Sequence, residues 1–217
     1  MANKVAVLSL AVASTGCITT LRSPFPVRGP AHVVHVSGPS IPAWDDSGWG
    51  LMPGSALAYD FRYGWTPRSG TGFAHEVGIR VGHAVVTTAG PQGENAGSTT
   101  QVAASYQISR AFDDGRVAVA LEASLPAGLL RTSVGRRFGG TTAYLQGTLA
   151  PPSCNNCAWN MFAGAGLERH VGKHATLLVE AATSLTTTHL DVWTPDTGVW
   201  KRQGSGVLVD AGLRWSR

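Results

Sequence analysis

Across residues 55–65 large and small side chains alternate at every position. Leu57, Tyr59, Phe61, Tyr63 and Trp65 hold one phase, and Ala56, Ala58, Asp60, Arg62 and Gly64 hold the other. Successive side chains of a strand point to opposite faces, so this segment predicts a strand with one large apolar face and one small, charged face. The division recurs along the chain. Residues 73–85 set Phe73, His75, Val77, Ile79, Val81 and Val85 against Ala74, Glu76, Gly78, Arg80 and Gly82. Residues 101–112 set Val102, Ala104, Tyr106 and Ile108 against Gln101, Ala103, Ser105 and Gln107. Asp113-Asp114-Gly115 then reads as a tight hairpin turn. Residues 116–125 set Val117, Val119, Leu121 and Leu125 against Arg116, Ala118, Ala120 and Glu122, and residues 128–138 set Leu130, Val134 and Phe138 against Arg131, Ser133 and Gly135. Residues 141–149 have no clear phase. Residues 159–171 oppose Met161, Ala163 and Leu167 to Gly164, Gly166 and Glu168, with Phe162 out of pattern. Residues 175–185 oppose Leu177, Val179 and Leu185 to Thr176, Glu180 and Ser184, and the chain closes with Val207, Val209, Leu213 and Trp215 against Asp210, Gly212 and Arg214.

The strand charges collect on the small-residue phase. Asp60, Arg62, Glu76, Arg80, Arg116, Glu122, Arg131, Glu168, Glu180, Asp210 and Arg214 all fall there, and Glu94 alone among the glutamates falls in a loop. A shared enclosure in which acids meet bases accounts for this, because buried charges persist only when paired and hydrogen-bonded. The fold class expected is all-β, an antiparallel up-and-down barrel whose interior carries a network of these charges. Alternation alone also fits a soluble calyx turned the other way, with aromatics inward. Three details favour a membrane-spanning barrel. The charged face is filled out with Gly and Ala. Lysine is absent from the predicted strands. The outward exceptions Arg110, Arg136 and Arg169 lie near strand ends, where long side chains reach headgroups.

Loop lengths point the same way. Turns after Trp65, Phe112, Phe138 and Val171 are short, whereas residues 86–99, 150–157 and 186–205 form longer connections. Spanning barrels place short turns on one side and long loops on the other. With both termini on the short-turn side, a strand is needed before Ser55, and residues 31–37 are the candidate. That makes about ten strands, or about eight if both this segment and residues 141–149 fail to pair. Trp65, Phe73, Phe112, Phe138 and Trp215 would then ring one rim as an aromatic girdle.

Over residues 31–217 this pattern resembles the small Gram-negative outer-membrane β-barrels. The resemblance implies an outer-membrane location, contact with outer-membrane lipid, and assembly by the machinery that reads a terminal alternating strand. Val207, Val209, Ala211, Leu213 and Trp215 match that strand, although Ser216-Arg217 follow the aromatic. The N-terminus agrees with export. Residues 1–17 combine Lys4, a short apolar core and small residues, as a secretory signal does. Ser14-Thr15-Gly16-Cys17 resembles a bacterial lipobox, with Ser14 where Leu is commonest, and implies lipidation at Cys17. Ordinary cleavage after Ala11-Val12-Ala13 would leave Cys17 a plain thiol. Residues 18–30 read as a Pro-, Gly- and Ser-rich linker, and 31–217 as the barrel, with 31–54 its short first strand and a loop.

Composition trims the alternatives. Charged residues are 14% of 217 and no apolar run is long enough for a transmembrane helix. The net charge of +4 comes without a basic cluster interleaved with aromatics, so nucleic acid is not an expected partner. Cys154 and Cys157, in a polar loop, are a disulfide candidate. No metal site and no cofactor is expected, since neither a second ligand pair nor a calcium-loop motif is present. His35-Val36-Ser37 weakly resembles the His-x-Ser spacing of outer-membrane lipid A deacylases, without an evident acid on the same face. The leading expectation is a non-catalytic structural or surface-interaction barrel with an unidentified external partner. The alternatives are a lipid-anchored β-barrel lipoprotein holding a hydrophobic ligand and an outer-membrane lipid-modifying enzyme.

Overall fold

The computed structural model describes residues 21–37, 44–45, 48–49, 54–67, 72–90, 93–126, 128–150, 160–185, 190–194, 199–203 and 207–216. The signal segment, Cys17, Cys154 and Cys157 lie outside them. Ten strands close into one antiparallel up-and-down barrel. In chain order they are β1 (Gly29–Ser37), β2 (Gly54–Trp65), β3 (Phe73–Gly90), β4 (Gly93–Phe112) and β5 (Val117–Leu125), then β6 (Leu129–Phe138), β7 (Thr141–Ala150), β8 (Asn160–His170), β9 (Ala175–Ser184) and β10 (Val207–Ser216). Each pairs with its sequence neighbours, and β1 closes the ring against β10, with Ala31 opposite Ser216 and Ser37 opposite Asp210. The early segment is therefore a full strand of the wall. Two short ribbons, Trp44–Asp45 with Gly48–Trp49 and Leu190–Thr194 with Val199–Gln203, stand apart from it.

Side-chain phase follows the alternation. Along β5 and β6 buried and exposed residues take turns almost without a break. The outward face carries Tyr59, Phe61 and Tyr63 at 40–46% exposure, with Ile79, Val102, Leu121, Val134, Leu145, Leu167 and Leu177 also exposed. The inward face holds the charged residues. An interior of this kind cannot be the apolar pocket of a calyx. Residues 141–149, ambiguous by pattern, turn Thr142, Tyr144, Gln146 and Thr148 inward and Leu145 outward. Tyr144 fits because it packs over Gly166, where a Cβ would collide with its ring.

Two boundaries differ from the sequence expectation. β3 and β4 run on through residues 86–99, pairing as far as Gly90 opposite Gly93, so that connection is an extended hairpin rather than an open loop. The ladder between β4 and β5 stops at Phe112 opposite Val117, which leaves Arg116 in the turn. Asp113, Asp114 and Gly115 all take positive φ there, and the amides of Gly115 and Arg116 donate to the carbonyls of Phe112 and Asp113.

Near the short-turn end the outward face is aromatic. Trp65, Phe73, Phe112, Phe138 and Trp215 are exposed. Arg110 lies 5.5 and 5.4 Å from the ring centres of Phe73 and Phe112, and Arg136 lies 5.4 Å from that of Phe138. Guanidiniums on aromatic faces suit a level where hydrocarbon meets water. Among the described residues no helix is long and apolar enough to cross a membrane. Ile79, 56% exposed midway along the apolar band, provides a test. Ile79→Arg is expected to cost about 2–4 kcal/mol of unfolding free energy in lipid vesicles. A cost within about 0.5 kcal/mol, ordinary for a watery surface, would remove Ile79 from the bilayer.

Candidate functional site: a strap held in the lumen

Alternation brings the inward charges of neighbouring strands side by side. Asp60 stands opposite Arg80 across the β2–β3 ladder, and Glu122 opposite Arg131 across β5–β6. Arg80 grips Asp60 with two hydrogen bonds, Nε to Oδ1 at 2.7 Å and Nη2 to Oδ2 at 2.9 Å, while Arg62 donates from Nη2 to Oδ2 at 2.6 Å. Glu180 has no exposed surface and accepts from Arg131 at 3.0 Å, Tyr144 at 2.9 Å and Gln146 at 2.6 Å. Arg214 meets Glu168 at 2.9 Å. Asp210 is buried opposite Glu180 across β9–β10. Of the sequence-predicted network, Asp60, Arg62, Glu76, Glu122, Arg131, Glu168, Glu180, Asp210 and Arg214 are buried and Arg80 is nearly so. Arg116 is the exception. It is exposed at the rim, because the ladder ends one residue before it.

The network is completed from a part of the chain that reads as linker. Residues 21–27 lie inside the barrel, and all but Pro26 are buried. Arg22 puts Nε 2.9 Å from Glu76 and donates from Nη1 to Glu122 at 3.0 Å. The wall also holds the backbone of this strap. Arg62 donates to the Leu21 carbonyl at 3.1 Å, Arg131 to that of Arg22 at 2.8 Å, and Gln107 to that of Ser23 at 3.2 Å. The Val27 amide donates to Glu76 at 2.8 Å. Arg137 stacks over the Phe25 ring at 3.9 Å. Backbone groups buried without water need such partners, and side chains provide them here because the strap pairs with no strand.

Glycines on the inward phase make the room. A Cβ at Gly64 would run into the Val27 carbonyl, and one at Gly78 into the Arg22 guanidinium. At Gly135 it would come within 2.8 Å of Pro24, and at Gly212 within 2.8 Å of Leu21. At Gly29, where φ is +75°, the strap turns and becomes β1. The space remaining beside Arg22, Asp60, Arg80, Ser105, Glu122 and Ser124 is about 20 Å³, enough for about one water.

His35 points into this lumen, buried, with Nε2 3.6 Å from Asp60 Oδ1. The acid that the His-x-Ser reading lacked is therefore present, but on the inner face and already held by Arg62 and Arg80. The Ser37 side chain lies outside the described residues. On the outer face His32 meets Tyr59 at 2.5 Å and His75 meets Tyr106 at 2.6 Å. No group of three metal-ligating side chains occurs among the described residues.

The sequence reading passed over Arg22, Tyr144, Gln146 and Arg137, and it placed Gln107 on the inward phase without a role. One signal for the strap was present. The inward glycines of β2, β3, β6 and β10 leave a hollow that the wall side chains do not fill.

No family model matches the chain, and no curated protein does. Solved structures match by fold. An outer membrane channel from Pseudomonas putida F1 is similar at 9% identity over 88% of this chain and 96% of that one, with a TM-score of 0.51. The KdgM porin matches at 10% identity, covering 86% of this chain and 99% of its own, with a TM-score of 0.45. The β domain of the Bordetella autotransporter BrkA matches at 16%, covering 88% and 100%, with a TM-score of 0.45. The shared property is the closed antiparallel barrel.

Docking of the strap can be read by protease. Gly78→Leu would occupy the position of the Arg22 guanidinium. Limited trypsin digestion of folded protein should then cut after Arg22 in the variant and spare that bond in the wild type. Equal cleavage in both would show that the strap does not rest in the lumen.

Proposed function

We propose that this chain is an integral outer-membrane β-barrel serving as a surface-displaying anchor, its lumen filled by ion pairs and by its own N-terminal strap. The observation that carries the reading is the sorting of side chains. Large apolar residues cover the outside of a closed ten-stranded wall, and the charged residues described on its strands lie within, apart from Arg110, Arg136 and Arg169 near strand ends. Such an outside has hydrocarbon as its natural solvent. The fold shared with an outer membrane channel supports the same location. The space left beside Arg22, Asp60, Arg80 and Glu122 holds about one water, which supports a structural role over open passage at that level. Outer-membrane lipid is the partner of the wall, the barrel assembly machinery that of β10, and an unidentified surface partner would meet the long-loop end.

Heat modifiability tests the reading. Protein extracted from a membrane fraction should migrate differently unheated and boiled, as a closed barrel resists detergent unfolding. Absence of the shift, together with release by alkaline wash, would rule out the spanning barrel.

A lipid on Cys17 is a separate proposal. The lipobox-like run Ser14-Thr15-Gly16-Cys17 supports it, and ordinary cleavage leaving a plain thiol is the alternative. Palmitate labelling decides between them: a label abolished by Cys17→Ser is expected, and its absence would leave the plain thiol.

A further inference from the structure

We propose that residues 21–27 are an intramolecular stopper, and that withdrawing them opens a cation-preferring pathway through the barrel. This rests on the membrane-spanning reading above. The strap enters the lumen without joining the sheet, so removing it breaks no strand pairing. All ten strands keep their neighbours, and the ring still closes between β1 and β10. What holds the strap is a set of side chains aimed at it from the wall. Arg22 lies between Glu76 and Glu122, and three successive carbonyls, those of Leu21, Arg22 and Ser23, accept from Arg62, Arg131 and Gln107. This is how a protein binds an extended peptide, with the peptide supplied in cis.

The space it occupies runs lengthwise. Val27 is packed at Gly64, next to the last residue of β2, and Leu21 lies beside Gly212 and His35, well up the wall. Beyond this the inward phase is small, with Ala58, Gly82 and Ala103. A ten-stranded wall already exceeds the size at which side chains alone fill the interior. The vacated passage would be about one extended chain across, roughly 5 by 10 Å.

Its electrostatics follow from the residues left behind. Among the described residues the lumen has six carboxylates, those of Asp60, Glu76, Glu122, Glu168, Glu180 and Asp210. Against them stand Arg62, Arg80, Arg131 and Arg214, with Arg137 at the turn-end mouth. Arg22 brings the balancing charge. When it leaves, Glu76 and Glu122 lose the guanidinium they share, Glu122 keeping Arg131 at 3.7 Å, and the six carboxylates outnumber the arginines left in the passage, which acquires an acidic narrow point at Glu76. Rings of acidic side chains favour cations. Small cationic solutes, guanidinium compounds above all, are the class this point would accept.

Planar-bilayer recording tests the idea on the full-length protein, its Arg22→Glu variant, and a variant lacking residues 21–27. Heat-shifted migration of each preparation confirms folding before recording. The wild type should be nearly silent. Arg22→Glu sets a carboxylate against Glu76 and Glu122, and should raise the open fraction at least roughly tenfold, the factor 1.4 kcal/mol of lost clamping would produce. The deletion should conduct steadily, with a reversal potential in a KCl gradient of cation-selective sign. A synthetic peptide of residues 19–28 should block the deletion variant, and the same peptide with Glu in place of Arg22 should not. Folded variants that stay silent would overturn the pathway. A wild type that conducts as freely as the variants would overturn the stopper, and anion selectivity would overturn the acidic narrow point. If neither variant folds, wild-type current decides: steady conductance refutes occlusion, and silence relieved by millimolar guanidinium competing for Glu76 and Glu122 supports it, whereas silence that guanidinium leaves unchanged counts against it. Loss of the heat shift in the wild type would instead strike at the membrane reading.

Discussion

A closed wall whose outer face is apolar leaves the charged side chains of its strands chiefly the inside of the barrel. There they must find partners, because a charge removed from water without one costs more than a small domain can spare. That requirement organises this protein. Register supplies the first partners, setting Asp60 beside Arg80 and Glu122 beside Arg131 on adjacent strands. Wider contacts supply the next, as Arg131 reaches Glu180 across the lumen and Arg214 reaches Glu168. Glu76 is different. The partners shown for its carboxylate are Arg22 and the Val27 amide, both on the strap.

Volume imposes the second constraint. A ten-stranded ring with glycine at Gly64, Gly78, Gly135 and Gly212 encloses more space than its own inward side chains fill. Apolar walls would leave such a space dry, and water would enter walls like these. The strap resolves both constraints at once. Its backbone occupies the hollow that the glycines leave, and its arginine pairs with Glu76 and joins Arg131 at Glu122. Neither role needs helix or sheet, which is why a short run containing two prolines suffices. Proline has no amide to satisfy, so Pro24 and Pro26 lower the number of donors the lumen must accommodate.

The wall was legible in the chain because its code has period two and few exceptions. Tyr59, Phe61 and Tyr63 could be assigned to one face and Asp60 and Arg62 to the other without any knowledge of partners. The same rule placed a strand before Ser55, since ends on one side of a membrane require an even count. It went wrong where parity carries no information. Arg116 has the right phase but lies beyond the last rung of the ladder, and phase cannot say where pairing stops. Residues 141–149 set Thr142, Tyr144, Gln146 and Thr148 against Thr141, Ala143, Leu145, Gly147 and Leu149, with large and small side chains on both faces, so the pattern did not reveal which way Tyr144 turned. Residues 86–99 are polar and small, as loops are, yet they pair. The strap was the hardest part to see. Leu-Arg-Ser-Pro-Phe-Pro-Val has the composition of a linker, and its order comes from groups scattered over residues 62–137 of the wall. No local pattern encodes such contacts.

The strap and the closing strand are one continuous piece of chain, and this links occlusion to assembly. β1 runs directly from the strap through Gly29, and it is the strand that seals β2 to β10. Docked residues 21–27 hold the start of β1 at the turn-end rim, with Val27 against Glu76 and Gly64. Closure of the ring in turn encloses the strap between Glu76 of nearby β3 and Glu122 and Arg131 of β5 and β6 across the barrel. Each event lowers the entropy cost of the other, because one loop closure serves both. The same coupling bears on the mature protein. Once the ring is closed, the strap can move along the lumen axis without unpairing β1, provided that Gly29 and its neighbours absorb the displacement. Glycine at φ +75° suits that position, since a side chain there would resist the left-handed turn that reverses the chain. A stopper tethered by a single turn at the rim, held by hydrogen bonds and charge and by no strand pairing, can leave and return while the wall stays intact.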